Sequence, residues 1–486
     1  MGTEIRTGLL SNNSDNVGSI WFQRDILLLA LCWAITLTTS TLLTTVGPLS
    51  AQSLGASDAL AAFSIGVFLF GAAMSSYPSG WMFRKLGRFY GFSVGNLYQV
   101  IGGTFGCIGL QFDELVCLMI GCFFIGLGQG LGQFYRFSAI EVSPEEFKSE
   151  AVTLVLSGGI LAAFAGPTAA NFTKNMFGAD YLGSFFVMGI LGLTNFVVVS
   201  LVNFNKKTKE QDAANKDLDD DGASLVTVSV RSSVRSDATG LVERNMRPIS
   251  EIMAQQRFIL SCTIATVAHT VMVMLMSNCS LAMNSHGYSF TDQTFVMEFH
   301  FCAMFLPGLY TGKFIKTHGP FKASLLGATI FTLSAGAFAS GHENWNFYAG
   351  MVLLGLAWNL CFSAGTVMLT ECYHPSEAPD VQAVNDVILF TVAGLGSVVS
   401  GVIYSNFGWD TLVYSVSLMM VINLALLVVA NNMKTNDADH DGKRRGPHES
   451  FSELIRSYSD RNSEDSFNED LMRLVNSEKV RTPSVA

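Results

Sequence analysis

Long apolar stretches recur along almost the whole chain, and they constrain its fold more than any other feature. A bilayer core about 30 Å thick needs roughly 20 helical residues to cross it, and twelve stretches of that kind can be marked. They are 25–48, 58–82, 91–111, 115–139, 150–172, 181–203, 257–283, 292–316, 321–340, 345–370, 380–405 and 409–431. They are too continuous for the alternation of barrel strands. The sequence therefore predicts an all-α multi-pass membrane protein with twelve transmembrane helices.

The charge content excludes an ordinary soluble enzyme and a nucleic-acid-binding protein. Charged residues make up only 14% of the chain, against roughly 25% in soluble domains. The sequence contains no basic stripe, HExxH or phosphate-binding loop, which are the patterns typical of nucleic-acid binding, zinc hydrolysis and nucleotide binding. Its nine cysteines form no CxxC pair. We therefore expect no catalytic residues, no cofactor, no metal site and no nucleic-acid partner.

Basic and acidic residues divide between opposite sides of the predicted bundle. One side, called here the basic side, carries Arg84, Lys85, Arg88, Arg136, Lys148, Arg257, Lys313, Lys316 and Lys322. The opposite side, called the acidic side, carries Lys174 together with Asp58, Asp113, Glu114, Asp180, Asp292, Glu343 and Asp410. Because short cytoplasmic loops are rich in Lys and Arg, the pattern predicts that both termini are cytoplasmic. It leaves open whether the membrane is the plasma membrane or that of an organelle.

The two halves of the chain repeat one another. Landmarks of the first half recur 229 to 232 residues later, in the same order. The matched positions are Gly80 and Gly312, Gly87 and Gly319, Gln129 and Trp358, and Phe177 and Phe407. The sequence therefore predicts six-helix halves at 25–203 and 257–431, joined by a cytoplasmic linker at 204–256. A cytoplasmic tail is predicted at 1–24 and a disordered one at 432–486, since their composition is polar and charged.

Two parallel six-helix halves around a midplane site are typical of transporters. Over roughly residues 20–431 the chain resembles the major facilitator superfamily of transporters. The loop from Gly80 to Arg88 resembles the family's loop signature, with Arg84 where the family usually has Asp. In the fourth span, Gln129-Gly130 matches the end of a family motif whose buried arginine falls here at Gly126.

Further segments refine the resemblance. Ala162-x-x-x-Gly166-Pro167 in the fifth span resembles the glycine-proline motif of drug antiporters. Three later segments resemble little-characterised bacterial members of the family: Trp358-Asn359, Thr370-Glu371-Cys-Tyr-His-Pro375 and Val381-Gln382-Ala-Val-Asn385-Asp386. The resemblance implies a secondary transporter that moves a small organic solute through the lipid bilayer by alternating access, with protons as a candidate coupling ion. We expect it to act as a monomer.

A second interpretation stays open at this stage. A non-transporting receptor or sensor with the same fold would signal through the linker at 204–256 and the tail at 432–486. Such a protein would bind its ligand without moving it across the membrane. Flux therefore distinguishes the two interpretations.

The resemblance implies that spans one, four, seven and ten line a central cavity, and polar side chains at mid-depth in a membrane are candidates for its lining. The candidates are Thr38, Thr41, Thr45, Gln129, Gln133, His269, Trp358 and Asn359. Trp358 is suited to stacking on a planar organic molecule. The alternative for the threonines is a hydrogen bond to their own helix, and the alternative for His269 is a bond between helices.

Ionisable residues divide by their depth in the predicted spans. His269, Glu298 and Asp386 lie inside spans, where an ionisable group needs water, a partner or a proton. They are the candidates for coupling transport to protons. Seven residues at the ends of spans are predicted to form a cytoplasmic gate or loop of ion pairs. They are Arg84, Lys85, Arg88, Arg136, Glu141, Lys316 and Glu371.

Overall fold

The computed structural model describes residues 24–143, 148–204, 247–374 and 377–440, all of them in helices or in the short connections between helices. The helices are α1 (Arg24–Ser53), α2 (Asp58–Leu86), α3 (Arg88–Gln111), α4 (Leu115–Gly132), α5 (Tyr135–Val142), α6 (Lys148–Thr173), α7 (Leu182–Ser200), α8 (Ile249–Met253), α9 (Gln256–Ser285), α10 (Phe290–Phe305), α11 (Gly308–His318), α12 (Pro320–Ala339), α13 (Asn344–Thr370) and α14 (Ala378–His440). Most of the predicted linker and tails lies outside these residues.

The predicted all-helical membrane fold is confirmed. In the described part of the chain, nine helical segments are long and apolar enough to cross a bilayer. Three differences separate this number from the twelve predicted spans. The span at 292–316 is divided into α10 and α11 at Pro307, which opens α11 as its N-cap. The last two spans count as one segment in α14, although the non-helical backbone of Gly408, with φ +80°, separates two helices there, and α3 is not among the nine.

Helix ends follow local sequence signals that recur in both halves. Gly87 ends α2 with φ +82°, and Gly319 ends α11 with φ +86°. A residue with a β-carbon is strained in that conformation, so the repeated glycines mark equivalent turns. On the acidic side, Ser57 caps α2, and Ser289 and Asp292 form a capping box at the start of α10.

The helix pairs that pack together also recur. The contacts of α3 with α4, α2 with α4 and α1 with α4 are matched by α12 with α13, α10 with α13 and α9 with α13. The α2–α4 contact is so close that a β-carbon on Gly126 would lie 1.9 Å from the carbonyl oxygen of Phe68. There is no room for a side chain here, at the position where the family motif has its buried arginine.

A buried polar cluster ties the first half together. The amide nitrogen Nδ2 of Asn195 on α7 lies 2.9 Å from Thr36 Oγ1, 3.0 Å from Asn96 Oδ1 and 3.3 Å from the Tyr135 hydroxyl. All four side chains are buried, and they come from α7, α1, α3 and α5. Polar side chains are efficient connectors in a membrane bundle because lipid offers them no other partner.

The two predicted halves contact each other on the acidic side, and a cleft lies between α2 and α14 on the basic side. On the acidic side, Asn284 Nδ2 donates to Gln52 Oε1 at 3.2 Å, and Ser397 Oγ donates to the carbonyl of Ala62 at 2.8 Å. On the basic side a cleft of about 470 Å³ separates the end of α2, at Tyr77 and Trp81, from the start of α14. All these contacts lie in the compact unit that ends at Leu426, and residues 427–440 continue as helix.

Candidate functional site

A cavity of about 180 Å³ lies between the two predicted halves. Its lining comes from both halves and includes residues of α1, α2, α4, α9, α10, α13 and α14. The aromatic lining residues are Trp33, Phe68, Phe301, Phe305, Trp358, Phe362 and Phe390. The polar ones are Ser40, Thr41, Thr44, Gln129, Gln133, Arg136, His269 and Asp386. A cavity that is mostly apolar with a few convergent polar groups is typical of a small-molecule site.

An aromatic wall forms the side of the cavity that belongs to the second half. Trp358 and Phe362 lie one turn apart on α13, and their rings stack with centroids 4.6 Å apart and planes at 15°. Phe305 meets Trp358 edge to face at 6.5 Å. The ring of Phe390 on α14 meets that of His269 edge to face at 5.8 Å. Such ring faces along one side of a cavity favour stacking by a planar aromatic molecule.

A hydrogen bond joins the two most polar members of this wall. Trp358 Nε1 donates to His269 Nδ1 at 3.1 Å, linking α13 to α9. An indole nitrogen is only a donor, so Nδ1 of the imidazole is the acceptor and carries no proton in this arrangement. The remaining ring proton of neutral His269 is therefore on Nε2.

The opposite wall, on α4 and α5 of the first half, carries amides and a cation. Gln129 lies on α4, Gln133 is its C-cap, and Arg136 begins the next helix, α5. Arg136 lies 3.8 Å from Asp386 of α14, with side chains 18% and 12% exposed. This ion pair crosses between the halves and bounds the cavity on the basic side.

Comparison with known proteins agrees with this architecture. A sequence model of the Major Facilitator Superfamily matches residues 28–319 and 259–463. The chain belongs to this superfamily. Its members are membrane transporters, so this chain is a multi-pass membrane transporter and not an enzyme.

Relatives of this superfamily member span nearly its full length. The riboflavin transporter RfnT of Brucella anthropi is 26% identical over 408 residues, which are 84% of this chain and 96% of the relative. The MFS-type transporter YddS of Bacillus subtilis, described as uncharacterized, is 23% identical over 407 residues, 79% of this chain and 85% of the relative. The xylose transporter XylE from E. coli, in a partially occluded inward open conformation, shares the fold with a TM-score of 0.61 at 12% identity, covering 83% of this chain and 98% of that one.

Five of the eight predicted cavity residues line the cavity of this superfamily member. They are Thr41, Gln129, Gln133, His269 and Trp358. The structure places the other three elsewhere. Thr38 and Thr45 donate to the carbonyls of Ala34 and Thr41 at 2.8 and 2.7 Å, which is the backbone bonding that the sequence offered as an alternative.

Asn359, the third residue outside the lining, packs between helices. Its Nδ2 donates to the carbonyl of Met304 at 2.7 Å, and its Oδ1 accepts from Thr311 Oγ1 at 2.5 Å. Adjacent residues on a helix point about 100° apart, so the exposure of Trp358 to the cavity turns Asn359 towards α10 and α11. The amide therefore holds helices together.

Glu298 also lies away from the cavity. It is on α10, where Thr168 Oγ1 of α6 lies 3.5 Å from its carboxylate, at the contact between the two predicted halves. The acid is half-buried. Of the three coupling candidates, the structure thus brings His269 and Asp386 to one cavity and leaves Glu298 at a separate helix contact.

The predicted gate residues form ion pairs mainly within each half. Arg88 Nε donates to Glu141 Oε2 at 2.8 Å, and Arg257 Nη1 donates to Glu371 Oε2 at 2.9 Å. Lys85 lies over the ring of Trp81 at 5.2 Å. Lys316 is in the last turn of α11, and the side chain of Arg84 lies outside the described part of the chain. Among these contacts of the described residues, only the Arg136–Asp386 ion pair joins the two halves.

One basic-side contact has no counterpart in the sequence analysis. Arg247, just before α8, binds both carboxylate oxygens of Glu377 at 2.7 and 3.1 Å and donates to the carbonyl of Cys372 at 3.2 Å. The Arg247 guanidinium lowers the pKa of Glu377 to about 2. The contact fastens the end of the predicted linker to the connection between α13 and α14. Only the tertiary fold brings the two residues together, so no sequence signal marks them.

Proposed function

We propose that this transporter carries a flat, uncharged aromatic solute of the riboflavin class by alternating access between its two halves. The aromatic wall formed by Trp358, Phe362, Phe390 and Phe305 carries this proposal. Stacking between rings favours planar ligands with large aromatic faces. Sugars and small amino acids lack such faces and would leave the wall without a partner.

The cavity must widen to admit the solute. Its volume of about 180 Å³ is below the roughly 300–1,000 Å³ of sites for drug-sized ligands. A flat ring system that stacks on one face of the wall needs less widening than a bulky solute. The relative from Brucella anthropi that covers most of this chain is named a riboflavin transporter, which supports the same class of solute.

Alternating access is proposed from the asymmetry of the contacts between the halves. The acidic-side contact of Gln52 with Asn284 breaks and the basic-side cleft beside Trp81 closes when the protein changes state. We infer cytoplasmic termini, which place the open cleft on the cytoplasmic side, and a monomeric transporter built from halves at 25–203 and 257–431.

Proton coupling is proposed at His269. A proton on Nδ1 removes the acceptor of the Trp358 hydrogen bond, and Trp358 is the centre of the aromatic wall. Protonation and solute stacking therefore act on the same indole. Asp386 is already paired with Arg136, and Glu298 lies at the contact between α6 and α10, so both are weaker candidates.

The test is riboflavin flux in proteoliposomes that contain the full chain. Wild type is expected to accumulate labelled riboflavin by counterflow. The counterflow rate of Trp358→Ala is expected to be at least about tenfold lower, because the substitution removes the stacking face. Trp345→Ala is the matched control, since Trp345 is 59% exposed and lies outside the cavity. Riboflavin binding without counterflow would support the receptor interpretation. Equal rates in wild type and Trp358→Ala would contradict the proposed site.

A further inference from the structure

Three hydrogen-bonding atoms on first-half residues of the cavity wall have no hydrogen bond among the described residues. One is Nε of Arg136, whose guanidinium already pairs with Asp386. The other two are Trp33 Nε1 and Gln129 Oε1, on residues that are 4% and 6% exposed. Buried polar atoms are almost always paired, so each unpaired one calls for an explanation. An unpaired donor and an unpaired acceptor on residues that line one cavity indicate a ligand that offers an acceptor and a donor.

The two atoms lie at different depths. Gly132 of α4 packs against Thr36 of α1, with its β-carbon position 2.6 Å from Thr36 Cγ2, so these residues are level. The first and fourth spans run in opposite directions. Gln129 therefore lies three residues to the acidic side of this level and Trp33 three residues to the basic side. At 1.5 Å per residue their backbone positions are about 9 Å apart along the bundle axis.

Gln129 faces the aromatic wall at the depth of Trp358. The internal repeat pairs these two residues, which are 229 positions apart, and both line the cavity from opposite halves. A ring that stacks on Trp358 therefore turns one edge towards Gln129. Since Gln129 Oε1 is an acceptor, that edge must carry an N–H.

The polarity of the cavity decides which way the rest of the solute points. Beyond this level on the acidic side, the lining includes the apolar side chains of Met276, Phe68 and Ile65. On the basic side it offers Trp33 and the Arg136–Asp386 pair. The acidic-side lining also contains Thr41 and Thr44, whose hydroxyls already donate to the carbonyls of Ala162 and Thr41. Trp33 Nε1 is an unpaired donor, so a hydroxyl tail gains a new hydrogen bond on the basic side.

We propose that Gln129 and Trp33 recognise the two ends of an elongated solute. Gln129 Oε1 accepts a hydrogen bond from a ring N–H that lies between two carbonyl groups, and Trp33 Nε1 donates to a hydroxyl oxygen of a flexible tail. The solute class is a heteroaromatic imide that carries a polyol chain. This inference rests on the proposed function and adds to it the orientation of the solute, with the ring on the aromatic wall and the tail towards the basic side.

The experiment measures equilibrium binding of three flavins to the purified full chain. Riboflavin has both the ring imide and the tail, lumiflavin has a methyl group in place of the tail, and N3-methylriboflavin has the imide N–H blocked. Trp33→Phe is expected to weaken riboflavin about tenfold and to leave lumiflavin within about twofold, since one hydrogen bond to the tail is lost.

Gln129→Met tests the other end of the site. It is expected to weaken riboflavin and lumiflavin equally, by about tenfold, while N3-methylriboflavin binds Gln129→Met no worse than it binds wild type. Thr39→Val is the control, because Thr39 lies outside the cavity lining and its hydroxyl donates to the carbonyl of Ile35 at 3.2 Å. It should bind all three flavins as wild type does.

The outcomes distinguish a failure of the proposed solute from a failure of the assignment of its two ends. Riboflavin binding that Trp358→Ala abolishes but Trp33→Phe and Gln129→Met leave unchanged overturns the assignment of the two ends and leaves the proposed function standing. If Gln129→Met weakens riboflavin but not lumiflavin, and Trp33→Phe weakens both equally, the proposed orientation of the solute is overturned. Absence of flavin binding to the wild-type chain overturns the proposed solute, and the assignment of the two ends with it.

Discussion

Arg136 and Asp386 form the ion pair that joins the two halves at the basic end of the cavity, 3.8 Å apart. Removing one member leaves the other charge buried without compensation, which is more harmful than removing both. Arg136→Gln and Asp386→Asn are each expected to lower riboflavin counterflow about tenfold or more. The double variant is expected to be no slower than either single variant.

The control for this cycle is the Arg88–Glu141 pair, which lies within one half and is more exposed. Arg88→Gln is expected to change the rate by less than about threefold, since exposed pairs contribute little. Strictly additive losses at Arg136 and Asp386 would show that the two residues act independently.

His269 is expected to make transport respond to a proton gradient. Replacement with glutamine keeps a polar side chain that can accept a hydrogen bond from Trp358 but cannot be protonated near neutral pH. His269→Gln should retain riboflavin counterflow within about threefold while losing the stimulation of uptake by an imposed pH gradient. His318→Gln, at the exposed basic-side end of α11, should keep that stimulation. An unchanged gradient response in His269→Gln would rule this residue out.

The polar cluster around Asn195 is expected to contribute to stability without touching the solute. Asn195→Ala leaves the buried Thr36, Asn96 and Tyr135 groups short of a partner, and we expect a loss of about 1–3 kcal/mol. A thermal melt of the detergent-purified protein measures the effect. Asn406→Ala is the control, because Asn406 is exposed and bonds only its own helix. A melting temperature as high as wild type would show that the cluster is not stabilising.

Gly126 is expected to tolerate no side chain. A β-carbon there would lie 1.9 Å from the Phe68 carbonyl oxygen, so Gly126→Ala should force α2 and α4 apart. We expect a destabilisation of at least about 3 kcal/mol, at the upper end of overpacking effects. Gly336→Ala on α12 meets nothing within 4 Å and should melt as wild type does. Size-exclusion profiles and melting temperatures of the two variants give the comparison.

The Arg247–Glu377 contact predicts a stability that depends on pH. The pKa of Glu377 falls from its ordinary value of 4.5 to about 2 in the folded protein. A carboxyl with a lowered pKa stabilises the folded state above its unfolded pKa and loses that effect as the pH falls. The melting temperature of wild type should therefore exceed that of Glu377→Gln by a constant margin above pH 5, and the margin should shrink between about pH 4.5 and 2. A margin independent of pH in that window would contradict the ion pair.

Hydrophobic patterning predicted the helices well because a span in lipid must be apolar along its whole length. The break at Gly408 lies between the predicted spans 380–405 and 409–431. The interruption at Pro307 was not predicted, since it changes the backbone path without changing hydropathy. The charged ends of the spans were predicted as ion-pairing residues, but their partners were not. Arg136 and Asp386 are 250 positions apart in the chain, and only the packing of α5 near α14 makes them a pair.

The position of a residue within a span indicated its depth in the membrane, but it did not indicate the direction in which the side chain points. Trp358, His269 and Gln129 were predicted at mid-depth, and they line the cavity. Thr38 and Asn359 lie at comparable depths, yet one bonds its own helix and the other fastens α13 to α10. The rotation of a helix about its axis depends on its neighbours, and the family resemblance supplied only which helices surround the cavity.

The uneven distribution of polar groups along the cavity has a consequence for the kinetics of exchange. A solute that arrives from the basic side meets Arg136, Asp386 and Trp33 first, and can replace its hydration shell one hydrogen bond at a time. A solute that arrives from the acidic side meets Met276, Ile65 and Thr44, whose hydroxyl already donates to the carbonyl of Thr41, and must shed more water for each hydrogen bond that it gains. We therefore expect the two loading steps to have unequal barriers, so that the exchange rate depends on the side from which solute is offered.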